Sequence, residues 1–261
     1  MMDDILEEEN RQSAEPTSST FIKIGEVNTI SRARALRIVT DDVIIGIDGE
    51  IYKDGIIELK ALLEECDEDL GVAITIWRAG TIFNVIAYGP LGATLEIASA
   101  EDAEAIGKDV SDYRFPKRDE LIIFEVLRNL TRKCEIIDTT PSQTASIMPV
   151  VWLAQNRLFE PLLAILSIYA ITFVVHWALF LVAYVVLGLY FRRGSLMMLR
   201  SFIVYKEYQM WMVIAARDIK EVQEVCRRID PKTQFRNSLV GDPVVEQPPI
   251  KKRRRSSIPG M

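Results

Sequence analysis

Three textures of apolar and polar residues follow one another along this chain. From Phe21 the pattern is strand-like: Phe21-Ile22-Lys23-Ile24-Gly25-Glu26-Val27 alternates, and Asp42-Val43-Ile44-Ile45-Gly46-Ile47 runs into a turn at Asp48-Gly49. Ile56 to Glu64 sets Ile57, Leu59, Leu62 and Leu63 at helical positions. Val72 to Arg78 and Thr81 to Tyr88 flank Ala79-Gly80 and predict a β-hairpin. Behind Asp119, the residues Leu121, Phe124, Leu127, Leu130 and Cys134 recur at three- and four-residue steps, which predicts a capped amphipathic helix to about Glu135. Asp138 to Ser146 is polar and reads as a linker, and Ile147 to Phe159, with Trp152 and Arg157, as an interfacial helix.

The second texture is a run from Pro161 to Phe191 without a single Lys, Arg, Asp or Glu. Bilayer hydrocarbon is about 30 Å thick and needs roughly 20 apolar residues as helix, so this run predicts membrane insertion. As one straight helix it would be about 46 Å long, and halved it gives arms of about 23 Å. A hairpin or wedge and one tilted span are both compatible with that length. In a hairpin, His176 and Trp177 fall at the tip, where Trp favours the interface and His176 escapes hydrocarbon.

The third texture is short and mixed. Arg193 and Arg200 bracket Leu196 to Leu199, suggesting a helix at headgroup level. Tyr208 to Ala216 is a strand candidate. Asp218 and Glu221 form an acidic capping box before the stripe Ile219, Val222, Val225, Cys226 and Ile229, which stops at Pro231. This strand-helix piece is too small to hold a core and must dock elsewhere.

Charge adds topology. Residues 1–158 carry 16 Lys+Arg against 29 Asp+Glu, whereas residues 192–261 carry 15 against 7. Arg192, Arg193, Arg200 and Lys206 follow the apolar run directly, which by the positive-inside rule puts the C-terminal segment in the cytoplasm. Residues 1–20 are acidic and polar, predict a disordered tail, and offer no cationic export signal, so both termini are expected in the cytoplasm. From residue 239 a disordered tail is predicted, containing Lys251, Lys252, Arg253, Arg254 and Arg255, five adjacent cations suited to anionic lipid. Nucleic acid is not an expected partner, because the chain as a whole is acidic, with a net charge of −6.

The order of elements in the first texture resembles a bacterial-type PDZ domain over Phe21 to about Leu95, and the remainder matches no family known from its motifs. The residues that carry the likeness are Ser31, Ala35 and Leu36, the strand Asp42 to Ile47, the turn Asp48-Gly49, the helical Leu59 and Leu63, and Arg78-Ala79-Gly80. The resemblance implies a peptide groove walled by Ile22, Ile24, Ile56, Leu59 and Leu63, in which a partner adds as a strand. No Gly-Leu-Gly-Phe-like carboxylate loop precedes Phe21, and Asp41 stands where the family has Gly, so the scaffold and its groove are separate expectations.

No catalytic set emerges. A single histidine excludes a Ser-His-Asp arrangement and a multi-histidine metal site. Cys66, Cys134 and Cys226 form no C-x-x-C pair and read as reduced thiols of a cytoplasmic protein. His176 alone carries a cofactor hypothesis, axial ligation of a haem or chlorophyll-type pigment. The expected class is α+β: a PDZ-like domain, an amphipathic helix, a membrane hairpin or wedge, and a strand-helix module. The expected role is a membrane-anchored adaptor without enzymatic activity or resident cofactor, gathering membrane or cytoplasmic proteins and further copies of itself. The alternatives are an accessory subunit of a bioenergetic or photosynthetic complex, with His176 as its pigment ligand, and a membrane-shaping hairpin protein.

Overall fold

Strand-forming segments from both sides of the apolar run meet in one sheet. The structure, a computed structural model, describes residues 21–111 and 113–244. In chain order the elements are β1 (Ile22–Val27), α1 (Arg32–Ala35), β2 (Val43–Ile47), β3 (Glu50–Ile51), α2 (Ile56–Glu65), β4 (Val72–Arg78), β5 (Thr81–Ala87), β6 (Ala93–Ile97) and α3 (Ala100–Val110). They continue as β7 (Ile122–Arg128), β8 (Lys133–Asp138), α4 (Gln143–Ile147), α5 (Pro149–Gln155), α6 (Phe159–Val175), α7 (Trp177–Tyr205), β9 (Gln209–Ala216), α8 (Ile219–Ile229) and β10 (Gln234–Phe235). The strand order is β10-β8-β7-β9-β5-β4-β2-β1-β6, with β3 on β2 off this path. Pairing is antiparallel except for β10 with β8, so the α+β class holds.

Alternation sorts the side chains onto two faces. Ile44, Ile76, Phe83, Phe124, Val126, Met212 and Ile214 join the main core, together with Leu59 and Leu63 of α2 and Val222, Val225 and Cys226 of α8. Val43, Ile45 and Ile82 point the other way and meet Ile106 and Val110 of α3. Trp77 Nε1 donates to Asp109 Oδ2 at 2.8 Å, holding α3 to that face. At Ala79-Gly80 both residues have positive φ, 46° and 83°, as a two-residue hairpin turn demands; Gly80 takes that conformation without a Cβ penalty.

The helix expected from Asp119 to Glu135 is corrected to a strand pair. After a 3₁₀ turn at Arg118–Glu120 the chain forms β7 and β8, joined by a turn in which Asn129 Oδ1 accepts from Thr131 and Lys133 N–H. Leu121-Ile122-Ile123-Phe124-Glu125-Val126-Leu127 is apolar at six of seven positions, so a strand buried on both faces and a helix stripe share the same residues. The separate headgroup-level helix near Leu196 is also corrected, because α7 runs unbroken from Trp177 to Tyr205.

The strand-helix piece docks as required. β9 lies between β7 and β5, and Asp218 caps α8 by accepting from Glu221 N–H at 2.8 Å. Glu221 Oε2 accepts in return from Arg217 N–H at 2.9 Å. Of the segment expected to be disordered from residue 239, Leu239 and Val244 are fixed by hydrogen bonds to Gln223 Oε1 and Pro231 O.

Candidate functional site

α6 and α7 lie side by side. Tyr169 meets Phe180 at 5.5 Å and Tyr184 at 6.0 Å between ring centroids, and Phe173 meets Phe180 at 5.8 Å. Numbering rises on one helix as it falls on the other, so the two run antiparallel. The break between them is one residue: His176 has extended backbone (φ −166°, ψ 134°) and its Nδ1 accepts from Ala178 N–H at 3.1 Å. His176 thus acts as N-cap of α7, with Trp177 stacked beside it. Much of the pair's surface is apolar and open: Leu163, Ile171, Phe173, Val174, Val175 and Trp177 are each more than 60% exposed. Among the described residues α7 alone is long and apolar enough to cross a membrane, by length and composition; α6, at 17 residues, is shorter.

The base of the pair is built into the sheet. Gly188 of α7 faces the Ser146 carbonyl so closely that a Cβ there would stand 2.7 Å from the oxygen. Tyr184 Oη donates to Ile147 O, and Trp152 of α5 packs edge-on to Phe191 at 6.0 Å. Lower down, Ile203 of α7 packs with Leu127 and Ile137 of the sheet. Arg200 forks onto Glu125 of β7, with Nε donating to Oε2 at 2.7 Å and Nη2 donating to Oε1. Glu125 is buried while Arg200 stays partly exposed, so this is a charge-assisted pair with its acid removed from water.

Where α7 leaves the sheet, a groove of about 460 Å³ opens. Its apolar lining includes Leu199, Phe202, Ile203 and Phe235, and its charged lining consists of Arg157, Lys206, Arg236 and Glu135. Arg236 lies 3.6 Å from Glu135, whereas Arg157 and Lys206 have no acidic partner among the described residues; Lys206 Nζ sits 4.2 Å over the Phe202 ring. Gln223, buried on α8, fastens the wall formed by residues 237–239: its Nε2 donates to Asn237 O and its Oε1 accepts from Leu239 N–H. Arg157 is held by the chain reversal that ends α5. Its own N–H goes to Ala154 O, Leu158 N–H goes to Leu153 O, and Arg157 takes φ 54°, where glycine is the usual occupant.

The expected groove residues are placed in the core. Ile22, Ile24, Leu59 and Leu63 are at most 2% exposed, and Ile56 packs partly buried against them. β1 is paired on both edges, to β2 and to β6, so the strand position beside β1 is filled by this chain's own β6. Arg200 is committed to Glu125, while Arg192 and Arg193 are exposed on α7. Lys251, Lys252, Arg253, Arg254 and Arg255 lie outside the described residues, as do residues 1–20. Two residues quoted for the family resemblance pair with each other: Asp42, fully buried, accepts from Arg78 Nε and Nη2, both at 2.6 Å.

Sequence reasoning does not single out Glu125, and it places Arg157 only within an interfacial helix. Glu125 interrupts an apolar run, and that lone acid among buried positions was the available clue. Burial pushes the Cys134 thiol up to about 12 and raises that of Cys226 as well, so neither is a nucleophile at neutral pH. Among the described residues no group of three or more His, Cys, Asp or Glu is arranged to hold a metal. No protein-family model, curated protein or solved structure matches the chain.

Proposed function

We propose that this protein is a membrane-anchored adaptor: α6 and α7 enter the bilayer from the cytoplasmic side as a hairpin, and the sheet domain holds partner proteins at that surface. The observation that carries the reading is the sheet order. β7 precedes the helical pair and β9 follows it, yet the two are hydrogen-bonded neighbours over most of their length. Strands on opposite sides of a bilayer cannot pair, so an inserted α6–α7 must enter and leave on one face. Water contact with so many large apolar side chains is costly, at about 25 cal/mol per Å² of apolar surface, and lipid removes that cost.

Partner binding through the predicted groove would require displacement of β6, because Ile22, Ile24, Leu59 and Leu63 are already covered. The adaptor reading therefore assigns partners to β6, the last strand of the sheet. Protease treatment of sealed inside-out vesicles tests the topology: digestion is expected at both termini, and protection of either one refutes the hairpin. Cross-linking followed by affinity capture from native membranes tests the adaptor role, with exchangeable partners expected. Stoichiometric recovery with one large complex would favour an accessory subunit, and Soret-region absorbance in that material would point to His176 as a pigment ligand.

A specific length favours a second reading. At 17 residues α6 spans about 25 Å, less than the hydrocarbon thickness, so the hairpin adds more volume to one leaflet than to the other. A membrane-shaping protein would tubulate liposomes without partners.

A further inference from the structure

We propose that the groove at the base of α7 is a stoichiometric binding site for one anionic phospholipid, with the headgroup phosphate between Arg157 and Lys206 and the acyl chains passing toward α6 and α7. This inference rests on the membrane reading above, and three features of the groove favour this occupant. Its net lining charge is positive, since Glu135 is matched by Arg236 while Arg157 and Lys206 have no acidic partner among the described residues. Its apolar side, with Leu199, Phe202 and Ile203, continues along the helix whose upper part carries no charge from Trp177 to Phe191. An amphiphile satisfies both halves, whereas a free anion would leave the apolar half wet. Finally, Arg157 occupies a left-handed backbone position that disfavours any side chain, with an uncompensated guanidinium at the groove wall.

The site differs from general attraction of a basic surface to a membrane. Surface cations act additively and without saturation at one lipid, whereas Arg157 and Lys206, though exposed, flank an open groove of fixed shape, with one wall fastened by Gln223, that offers a single place for a headgroup. Arg192, exposed on the same helix but outside the groove lining, reports the general effect.

The test uses the full chain in a neutral detergent, titrated with short-chain phosphatidylglycerol, short-chain phosphatidylcholine or inorganic phosphate, and read by native mass spectrometry and calorimetry. One phosphatidylglycerol per chain is expected to bind, saturably and at least tenfold tighter than phosphatidylcholine or phosphate. Arg157→Gly and Lys206→Gln are each expected to weaken it roughly fivefold or more, the effect of one cation near a headgroup. Arg157→Gly also relieves the left-handed backbone, so weakened binding with an unchanged or raised melting temperature separates binding from folding. Arg192→Gln should leave the affinity within twofold. Equal loss in Arg192→Gln, no preference over phosphatidylcholine, or phosphate binding as tight as lipid would each overturn the lipid site. If full-length protein proves monodisperse without detergent after ultracentrifugation yet still binds phosphatidylglycerol, the membrane reading fails and the site stands.

Discussion

Removing Arg200 should loosen the helical pair from the sheet, and the size of the effect follows from the burial of its partner. The Glu125 side chain is 10% exposed and that of Arg200 42%, so the pair lies between the fully buried and the solvent-exposed limits. Breaking a buried pair costs about 3–5 kcal/mol because the stranded charge keeps its desolvation penalty, whereas exposed pairs are worth about 0.2–1 kcal/mol. The two-pronged geometry and the buried acid place Arg200→Met at about 2 kcal/mol destabilising, with most of the apolar stem retained. Glu125→Gln should cost about 1 kcal/mol, since the amide still accepts one hydrogen bond. Combined with Glu125→Leu, Arg200→Met should regain most of its loss, because no buried charge remains. For a chain of this size about 1 kcal/mol corresponds to roughly 2–4 °C, so the single Arg200 variant should melt about 4–8 °C lower. Thermal unfolding in detergent, followed by tryptophan fluorescence, of the wild type, Arg200→Met, Glu125→Leu and the double variant measures the four corners of the cycle; Trp211, stacked under Arg128 at 4.3 Å, reports on the sheet directly. A coupling energy below about 0.3 kcal/mol, within the additivity of independent sites, would refute the assignment of this pair as the clasp between α7 and β7.

Other expectations follow from single features. Gly188→Ala would push a methyl to 2.7 Å from the Ser146 carbonyl, and the resulting separation of α4 from α7 should cost about 1–3 kcal/mol in the same melting assay. Asp218→Ala removes the cap of α8 and should cost about 1 kcal/mol, with Asp218→Asn nearly neutral. The Cys134 thiol ionises near 12 in the folded chain, against the ordinary 9.0 of an exposed thiol, so its contribution to stability is intact below pH 9 and is lost as pH rises from 9 to 12. Cys134→Ala should flatten that alkaline decline. Native alkylation with iodoacetamide at pH 8 should modify half-exposed Cys66 first and leave Cys134 and Cys226 unreacted until the protein unfolds, as peptide mapping can establish.

Much of the local structure was legible because it is written in neighbouring residues. The Ala79-Gly80 turn, the Asp218 cap and the apolar stripe of α8 each depend on contacts within a few positions, and each occurs where the residues predict it. β7 and β8 were misread because Leu121 to Leu127 is apolar on every side but one; only pairing with β9 selects the strand. The groove was illegible for a related reason. Arg157, Lys206 and Phe235 are far apart in the chain and converge only once α7 has turned back to the sheet.

The chain on its own determined where charge is absent, from Pro161 to Phe191, because that follows from composition; length alone left a divided pair and one continuous helix both open, and the break at His176 was decided by the structure. It also determined the class of the fold, through alternation and turn residues. Only the tertiary structure decided that β9 slots between β7 and β5, that β6 fills the place beside β1, and that Arg200 turns to Glu125 instead of the surrounding solvent. Backbone hydrogen bonds between strands and the burial of a charge depend on which distant segments become neighbours, and no local pattern of residues encodes that choice.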